Sequence, residues 1–216
     1  MTIAKGTKFI VWLLLAFSAM STIISFVIWY LTDFFWHFII LGLIVIASSF
    51  LILTFRDPAR SISTDINKIL APADGRVMEL EEEEGRIYCV IRMSPFDVHM
   101  TRSPISGNIT NVKFQKGSHW PAYFPEYAKR NQRNRIDIFD EEENISGVVT
   151  QVSGIFARRT VSYVKEKDNI NQGDVIGTIR FGSLTSLEII SNKSFKFKVG
   201  LSDIVRAGKT VIAECD

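Results

Sequence analysis

The sequence of 216 residues is poor in cysteine (two), histidine (three) and proline (six). Two cysteines cannot staple a small secreted scaffold, and Cys89, in an apolar run, and Cys215, at the tail, lack metal-ligand spacing. Both read as structural thiols, and no metal is expected. No basic run of nucleic-acid type occurs, and the net charge is only +2, so a phosphate-backbone partner has no electrostatic support. There is no Gly-X-Ser-X-Gly elbow of the kind serine hydrolases use. With 47% hydrophobic residues the chain is neither disordered nor collagen-like, which leaves one folded domain plus an appendage.

The appendage is at the start. Mean hydropathy is +0.15, and the apolar residues are concentrated at one end. Residues 9–31 and 34–55 carry no charge, and at about 1.5 Å per residue each is long enough to cross about 30 Å of hydrocarbon. Thr32 and Asp33 join them, so the two helices must return antiparallel. Trp29, Tyr30, Phe34, Phe35 and Trp36 would form an interfacial aromatic belt. Lys5 and Lys8 before the pair, with Arg56 and Arg60 after it, place both ends and everything beyond them in the cytoplasm, at the cell membrane. Ser18-Ala19-Met20 could end a signal peptide, but the apolar run continues past it, which argues for retention. His37, near the start of the second helix, reads as an interfacial structural residue.

Arg56-Asp57-Pro58 stops the second helix, and 56–67 reads as a linker between an anchor, 1–55, and a β-rich domain, 68–216. Short alternating runs predict strands at 75–80, 86–93, 107–114, 135–139, 145–152, 160–163, 175–180, 187–190 and 195–199. The acidic blocks 81–84 and 140–143 read as solvated hairpin turns. The segments 71–77 and 170–177 resemble strand-turn pieces of the biotinyl/lipoyl barrel-sandwich family. The likeness is architectural, because no Lys adjoins any of the five Met residues as a carrier domain requires. The expected fold is thus a mainly β domain with barrel-sandwich-hybrid-like elements, preceded by an antiparallel two-helix transmembrane hairpin.

His99 lies in a run where Asp97, His99 and Thr101 alternate with Val98 and Met100, giving a polar strand face. Alone, it reads as a hydrogen-bonded structural histidine, and His119 carries less signal still. Phe181-Gly182-Ser183 alone reads as a turn or bulge. Their joint order tells more. Ala71-Pro72-Ala73-Asp74-Gly75-Arg76-Val77, the stretch 94–104, Asn131-Gln132-Arg133-Asn134, Ala157-Arg158-Arg159-Thr160-Val161 and Gly177-Thr178-Ile179-Arg180-Phe181-Gly182-Ser183 follow one another in a chain of this length. Together they closely resemble the short, pyruvoyl-dependent phosphatidylserine decarboxylases, including archaetidylserine-acting relatives, over roughly 56–199.

The resemblance implies a self-processing decarboxylase acting on a serine phospholipid of the bilayer. Ser183 Oγ would attack the Gly182 carbonyl, the backbone would shift to an ester, and elimination would release 1–182 and leave a pyruvoyl group on 183–216. The two pieces would remain associated. His99, held in one tautomer by Asp74, would be the base for Ser183. The pyruvoyl ketone would take the substrate amine as a Schiff base and accept the electrons left by CO₂, and His99 would return a proton to Cα. Phe96, Val98 and Phe181 would keep the pocket dry. Arg158, Arg159, Arg133, Arg135 and Arg102 are the candidate phosphate forks. Residues 120–127, rich in aromatics, suit either a loop dipping into headgroups or core packing.

Gln132 stands where many short members have Glu, and Leu184 stands where many have Arg after Phe-Gly-Ser. Phe96 occupies the place of a second histidine present in the longer members. An exposed β-edge makes a homodimer reasonable. The rival readings are a catalytically silent membrane-anchored adaptor and a serine hydrolase built on the same three residues.

Overall fold

The computed structural model describes residues 2–3, 8–32, 35–54, 56–62, 64–121, 128–155, 160–179 and 183–215. The chain divides into two compact units, Met1–Ala59 and Arg60–Asp216.

In the first unit α1 (Lys8–Thr32) packs against α2 (His37–Thr54). A short antiparallel pair, β1 (Thr2–Ile3) with β2 (Arg56–Asp57), brings the ends of this helical hairpin together. Val11–Thr32 is long and apolar enough to cross a membrane by length and composition; in α2 the comparable stretch, His37–Phe50, is shorter than a full span. The helix expected over 34–55 therefore begins at His37 among the described residues. Trp12, Ile23, Leu31, Phe38 and Ile46 are exposed. The hydroxyls of Thr22 and Thr32 donate to the carbonyls of Ser18 and Ile28 one turn back, so the helix satisfies its own polar groups. At the turn Trp29 lies 5.8 Å from Phe26 and 6.4 Å from Phe38, ring centre to ring centre.

The second unit is mostly sheet. Its strands are β3 (Lys68–Leu70), β4 (Gly75–Glu83), β5 (Arg86–Met93), β6 (Met100–Arg102), β7 (Gly107–Gln115), β8 (Arg133–Asp140), β9 (Ile145–Val152), β10 (Thr160–Ser162), β11 (Asn169–Ile170), β12 (Val175–Ile179), β13 (Ser183–Ser191), β14 (Phe195–Phe197), β15 (Ile204–Val205) and β16 (Val211–Cys215). Eight form one antiparallel sheet in the order β11-β7-β8-β9-β13-β5-β4-β15; β10-β12-β6 and β14-β16-β3 form two smaller sheets. All three contribute to a single core, in which Ile91, Ile136 and Leu187 of the large sheet meet Ile176 and Ile179 of one small sheet and Ile212 of the other. Each such side chain stabilises the fold by about 1.5–3 kcal/mol on burial.

Alternation explains the large sheet. In β13 Thr185, Leu187 and Ile189 face inward, while Ser186 and Glu188 face out. The expected strand 187–190 is longer at its start, because Ser183 and Thr185 are inward residues of polar type and do not advertise a strand. The strands β3 and β16 were not anticipated either, each being too short or too irregular to show a period. The acidic blocks do lie at hairpins: Gly85 turns one with φ +73°, and Asp140 Oδ1 caps the other by accepting the Glu142 and Glu143 amides. The stretch read as a linker packs on the β unit from Arg60 onward: the Asp65 amide donates to Gln172 Oε1 at 3.0 Å, and Ile62 covers Gly173.

Candidate active site

Ser183 opens β13 between two neighbours, registered with Met93 of β5, while the next residue, Leu184, faces Arg92 of β5 and Val152 of β9. Its side chain takes the inner face and is 3% exposed. The Oγ donates to the Met93 sulfur at 3.4 Å, a weak acceptor that leaves the hydroxyl chemically available. Thr185 Oγ1 lies 3.6 Å from the same sulfur.

One register step inward, Asn134, Gln151, Thr185, Ile91 and Val77 are partners across five strands. Here Asn134 Nδ2 donates to Gln151 Oε1 at 3.1 Å, and Gln151 Nε2 donates to Thr101 Oγ1 of β6 at 2.8 Å. A buried amide thus links the large sheet to the small one beneath Ser183. Gly177 makes room for it, since a Cβ there would stand 2.7 Å from Gln151 Nε2.

His99 directly precedes β6 and is 2% exposed. Its carbonyl accepts from the Ile179 amide at 3.0 Å and from Thr178 Oγ1 at 2.9 Å, which fixes it against β12. Val98 and Met100 are buried too, so the expected polar face belongs to a strand enclosed on both sides. Burial pushes the imidazole pKa below its usual 6.5, opposed by a hydrogen bond to the Asp97 backbone and by the charges of Asp97 and Asp74. Burial thus favours the neutral ring.

Asp74 reaches the same region from another direction. The bonds Leu70 N to Pro104 O and Arg102 N to Pro72 O lay 70–72 antiparallel along 102–104, and the Asp74 charge two residues further on acts on the His99 ring. From there Gly75, at φ +149°, starts β4 so close to β5 that a Cβ would fall 2.2 Å from the Arg92 carbonyl oxygen. This accounts for glycine after Asp74. The start of β4, the end of β5 and the start of β13 therefore share one end of the sheet.

The Asp74 carboxylate is engaged by Arg60 and by the Ala207 amide, and it acts on His99 through its charge. Arg102 is 7% exposed, and its Nη1 donates to the Gly173 carbonyl at 2.9 Å. Arg133 gathers the carbonyls of Ala128, Lys129 and Asn131, and with Lys129 and Arg135 it edges a groove of about 730 Å³ on the outer face of the sheet, where Leu184 also lies. Arg135 is paired with Asp137 at 2.6 Å. Arg158, Arg159, Phe181 and Gly182 lie outside the described residues, as does 122–127 of the aromatic loop.

His119 Nδ1 sits 3.2 Å from Ser153 Oγ, in a strap that Asn131 holds by bonds to Trp120 and Ser153. Thr160, registered with Ile179, buries an Oγ1 that has no partner among the described residues. No group of three His, Cys, Asp or Glu side chains gathers among them. The sequence reading gave Arg60, Met93, Gln151 and Asn134 no individual part in the site; a signal existed for the last two, amides at inward positions of otherwise apolar strands.

The family model described as Phosphatidylserine decarboxylase matches residues 47–213. A phosphatidylserine decarboxylase proenzyme of Cytophaga hutchinsonii is 36% identical over 209 residues, covering 91% of this chain and 92% of its own. A protein of Archaeoglobus fulgidus assigned as an archaetidylserine decarboxylase proenzyme is 41% identical over 175 residues, 81% of this chain and 83% of its own. A phosphatidylserine decarboxylase proenzyme of Amoebophilus asiaticus is 36% identical over 167 residues, 74% and 73% respectively.

Proposed function

The chain belongs to the phosphatidylserine decarboxylase family and is a decarboxylase, and from that premise we propose that it cuts itself before Ser183, turns that residue into a pyruvoyl group and converts a serine phospholipid to its ethanolamine form. The observation that carries this reading is the placement of Ser183: a buried inner-face hydroxyl with a sulfur partner, at the sheet end that also receives the Asp74 turn.

In self-processing, Ser183 Oγ bonds to the Gly182 carbonyl carbon as the peptide C–N bond breaks, and the freed nitrogen takes a proton. Loss of the Ser183 α-proton and of the Cβ–Oγ bond then releases 1–182 as a carboxylate. Water replaces the nitrogen of the resulting dehydroalanine as ammonia, leaving a ketone. Neutral His99 is the group suited to take the Oγ proton, because its burial keeps it unprotonated.

The residues around position 183 fit such a group. Ladders on both sides hold the new chain end in place, and the Asn134–Gln151–Thr101 amide chain and the Thr160 hydroxyl supply polar atoms in a dry interior. A pyruvoyl carbonyl supplies the electron sink for departing CO₂. His99 then delivers a proton to Cα, and Arg133, Arg102, Arg158 and Arg159 are the candidates to meet the lipid phosphate. Ester- and ether-linked lipids present the same headgroup to these residues. In this reading 1–55 anchors the enzyme, 56–67 leads out of the membrane and 68–216 works on its cytoplasmic side.

Intact-mass spectrometry of wild type and Ser183→Ala, before any lipid is added, tests it. A fragment 183–216 bearing an N-terminal pyruvoyl, absent from Ser183→Ala, is the expected result. A single uncleaved mass from folded wild type overturns self-processing and leaves the adaptor reading.

A further inference from the structure

Arg60 belongs to none of the motifs that carry the family likeness, yet it makes the densest set of bonds around Asp74. Its Nη1 and Nη2 donate in parallel to Asp74 Oδ1 and Oδ2 at 2.6 and 2.8 Å, the fork-to-fork geometry that a guanidinium offers and an ammonium does not. The same Nη1 donates to the Ala207 carbonyl at 2.6 Å, and the Ala207 amide donates back to Asp74 Oδ1 at 2.8 Å. The two charged side chains are 7% and 12% exposed. The Gly208 amide completes the junction by donating to the Ala71 carbonyl at 2.8 Å, just upstream of Asp74. Three separate stretches meet here: the residues leaving the apolar hairpin, the turn before β4, and the 206–210 loop, which lies in the piece that would follow the cut.

We propose that Arg60 is a positioning residue for the reaction: it fixes the Asp74 carboxylate beside the His99 strand and locks the 206–210 loop of the C-terminal piece against it. This rests on the reading of Asp74, His99 and Ser183 given above and adds to it a residue from the segment that follows α2. A bent or displaced carboxylate would misplace the field acting on His99, and small displacements in such constellations cost on the order of 10²-fold in rate. Removing one partner of a buried pair also leaves the other charge uncompensated.

The groups beside His99 make the effect readable. Asp97 faces it from the preceding turn and Asp74, with Arg60 behind it, from the 70–74 segment; Arg102 lies on its own strand, and β12 offers the uncharged Thr178 and Ile179. With Arg60 neutralised, the unscreened Asp74 charge favours protonated His99, so the acid limb of cleavage moves to higher pH. With Asp74 neutralised, it moves to lower pH.

The test follows cleavage over time, by intact mass, in full-length protein synthesised cell-free into phospholipid vesicles. The set comprises wild type, Arg60→Lys, Arg60→Gln, Asp74→Asn, the double variant Arg60→Gln with Asp74→Asn, and Arg56→Gln as a control on the same segment. Arg60→Lys should slow cleavage on the order of 10²-fold, and Arg60→Gln should raise the acid limb. The double variant, which leaves no buried charge unpaired, should fold and still cleave slowly, while Arg56→Gln should match wild type. Wild-type rates and an unmoved limb in folded Arg60→Lys and Arg60→Gln overturn the proposal, as does a wild-type rate in the double variant if Arg60→Gln fails to fold. Ser183→Ala separates the two levels: if it is cut, the underlying reading falls, whereas an uncut Ser183→Ala beside unaffected Arg60 variants removes the role of Arg60 alone.

Discussion

On the proposed reading, one buried side chain, His99, would set both a rate and a stability. Its pKa is lowered from 6.5, chiefly by burial, so the neutral form needed for catalysis persists below pH 6.5. Self-cleavage should therefore lose its rate at lower pH than a free imidazole base would allow, as a stopped time course across pH 5–8 would show. The sign for stability follows from the same shift. As pH falls through 6.5 the unfolded chain takes up a proton that the folded His99 refuses, so stability present above 6.5 is progressively lost down to the folded pKa. In the uncut Ser183→Ala background, His99→Gln should flatten that part of the curve of Tm against pH. Cys89 is the inert counterpart: burial pushes its thiol up to about 12, so alkylation at pH 8 should leave it unmodified until the protein is denatured.

At the scale of elements, the turn into β4 is the most constrained joint. Gly75→Ala would place a methyl 2.2 Å from the Arg92 oxygen at a φ of +149°, and such strain costs about 1–3 kcal/mol. In the Ser183→Ala background the variant should melt lower by that amount, and with Ser183 restored it should cleave slowly because Asp74 moves with the joint. The same turn separates what was legible from what was not. Strands β5 and β9 were readable because Ile87, Cys89 and Ile91, and Ile145, Val148 and Val149, are apolar where the sheet is buried. The opening of β13 was hidden because its inward residues are a serine and a threonine, chosen for a site rather than for a core. Asp74-Gly75 was visible as a motif, but the partner of Asp74 was not: Arg60 and Ala207 are bonded to it across 14 and 133 positions of chain, and no local pattern records such a pairing.

At the scale of the molecule, composition located the apolar hairpin and the β-rich remainder, because an apolar run and a period of two are properties of the sequence itself. The order of the strands was out of reach: β13 lies between β5 and β9, and β9 precedes it by more than thirty positions. That order predicts the behaviour of the cut protein. With the β13 ladders intact on both sides and β16 paired to β3, the pieces 1–182 and 183–216 should migrate as one species on a native gel and separate on a denaturing one. Loss of 183–216 on native separation would contradict it.

The proposed cut would also give the protein a history, because the shorter piece would carry a central strand of the sheet. Before the cut, refolding is a unimolecular search; afterwards it requires two molecules to meet, and the partner that must be recaptured carries β13, β14, β15 and β16. Wild type should thus fold once, cut once and then be unable to retrace its path. Heated and cooled at high dilution it should show hysteresis and a recovery that rises with concentration, while uncut Ser183→Ala recovers at a rate independent of it. A bond broken before Ser183, as proposed, would act in this respect as a ratchet, with folding first and scission second.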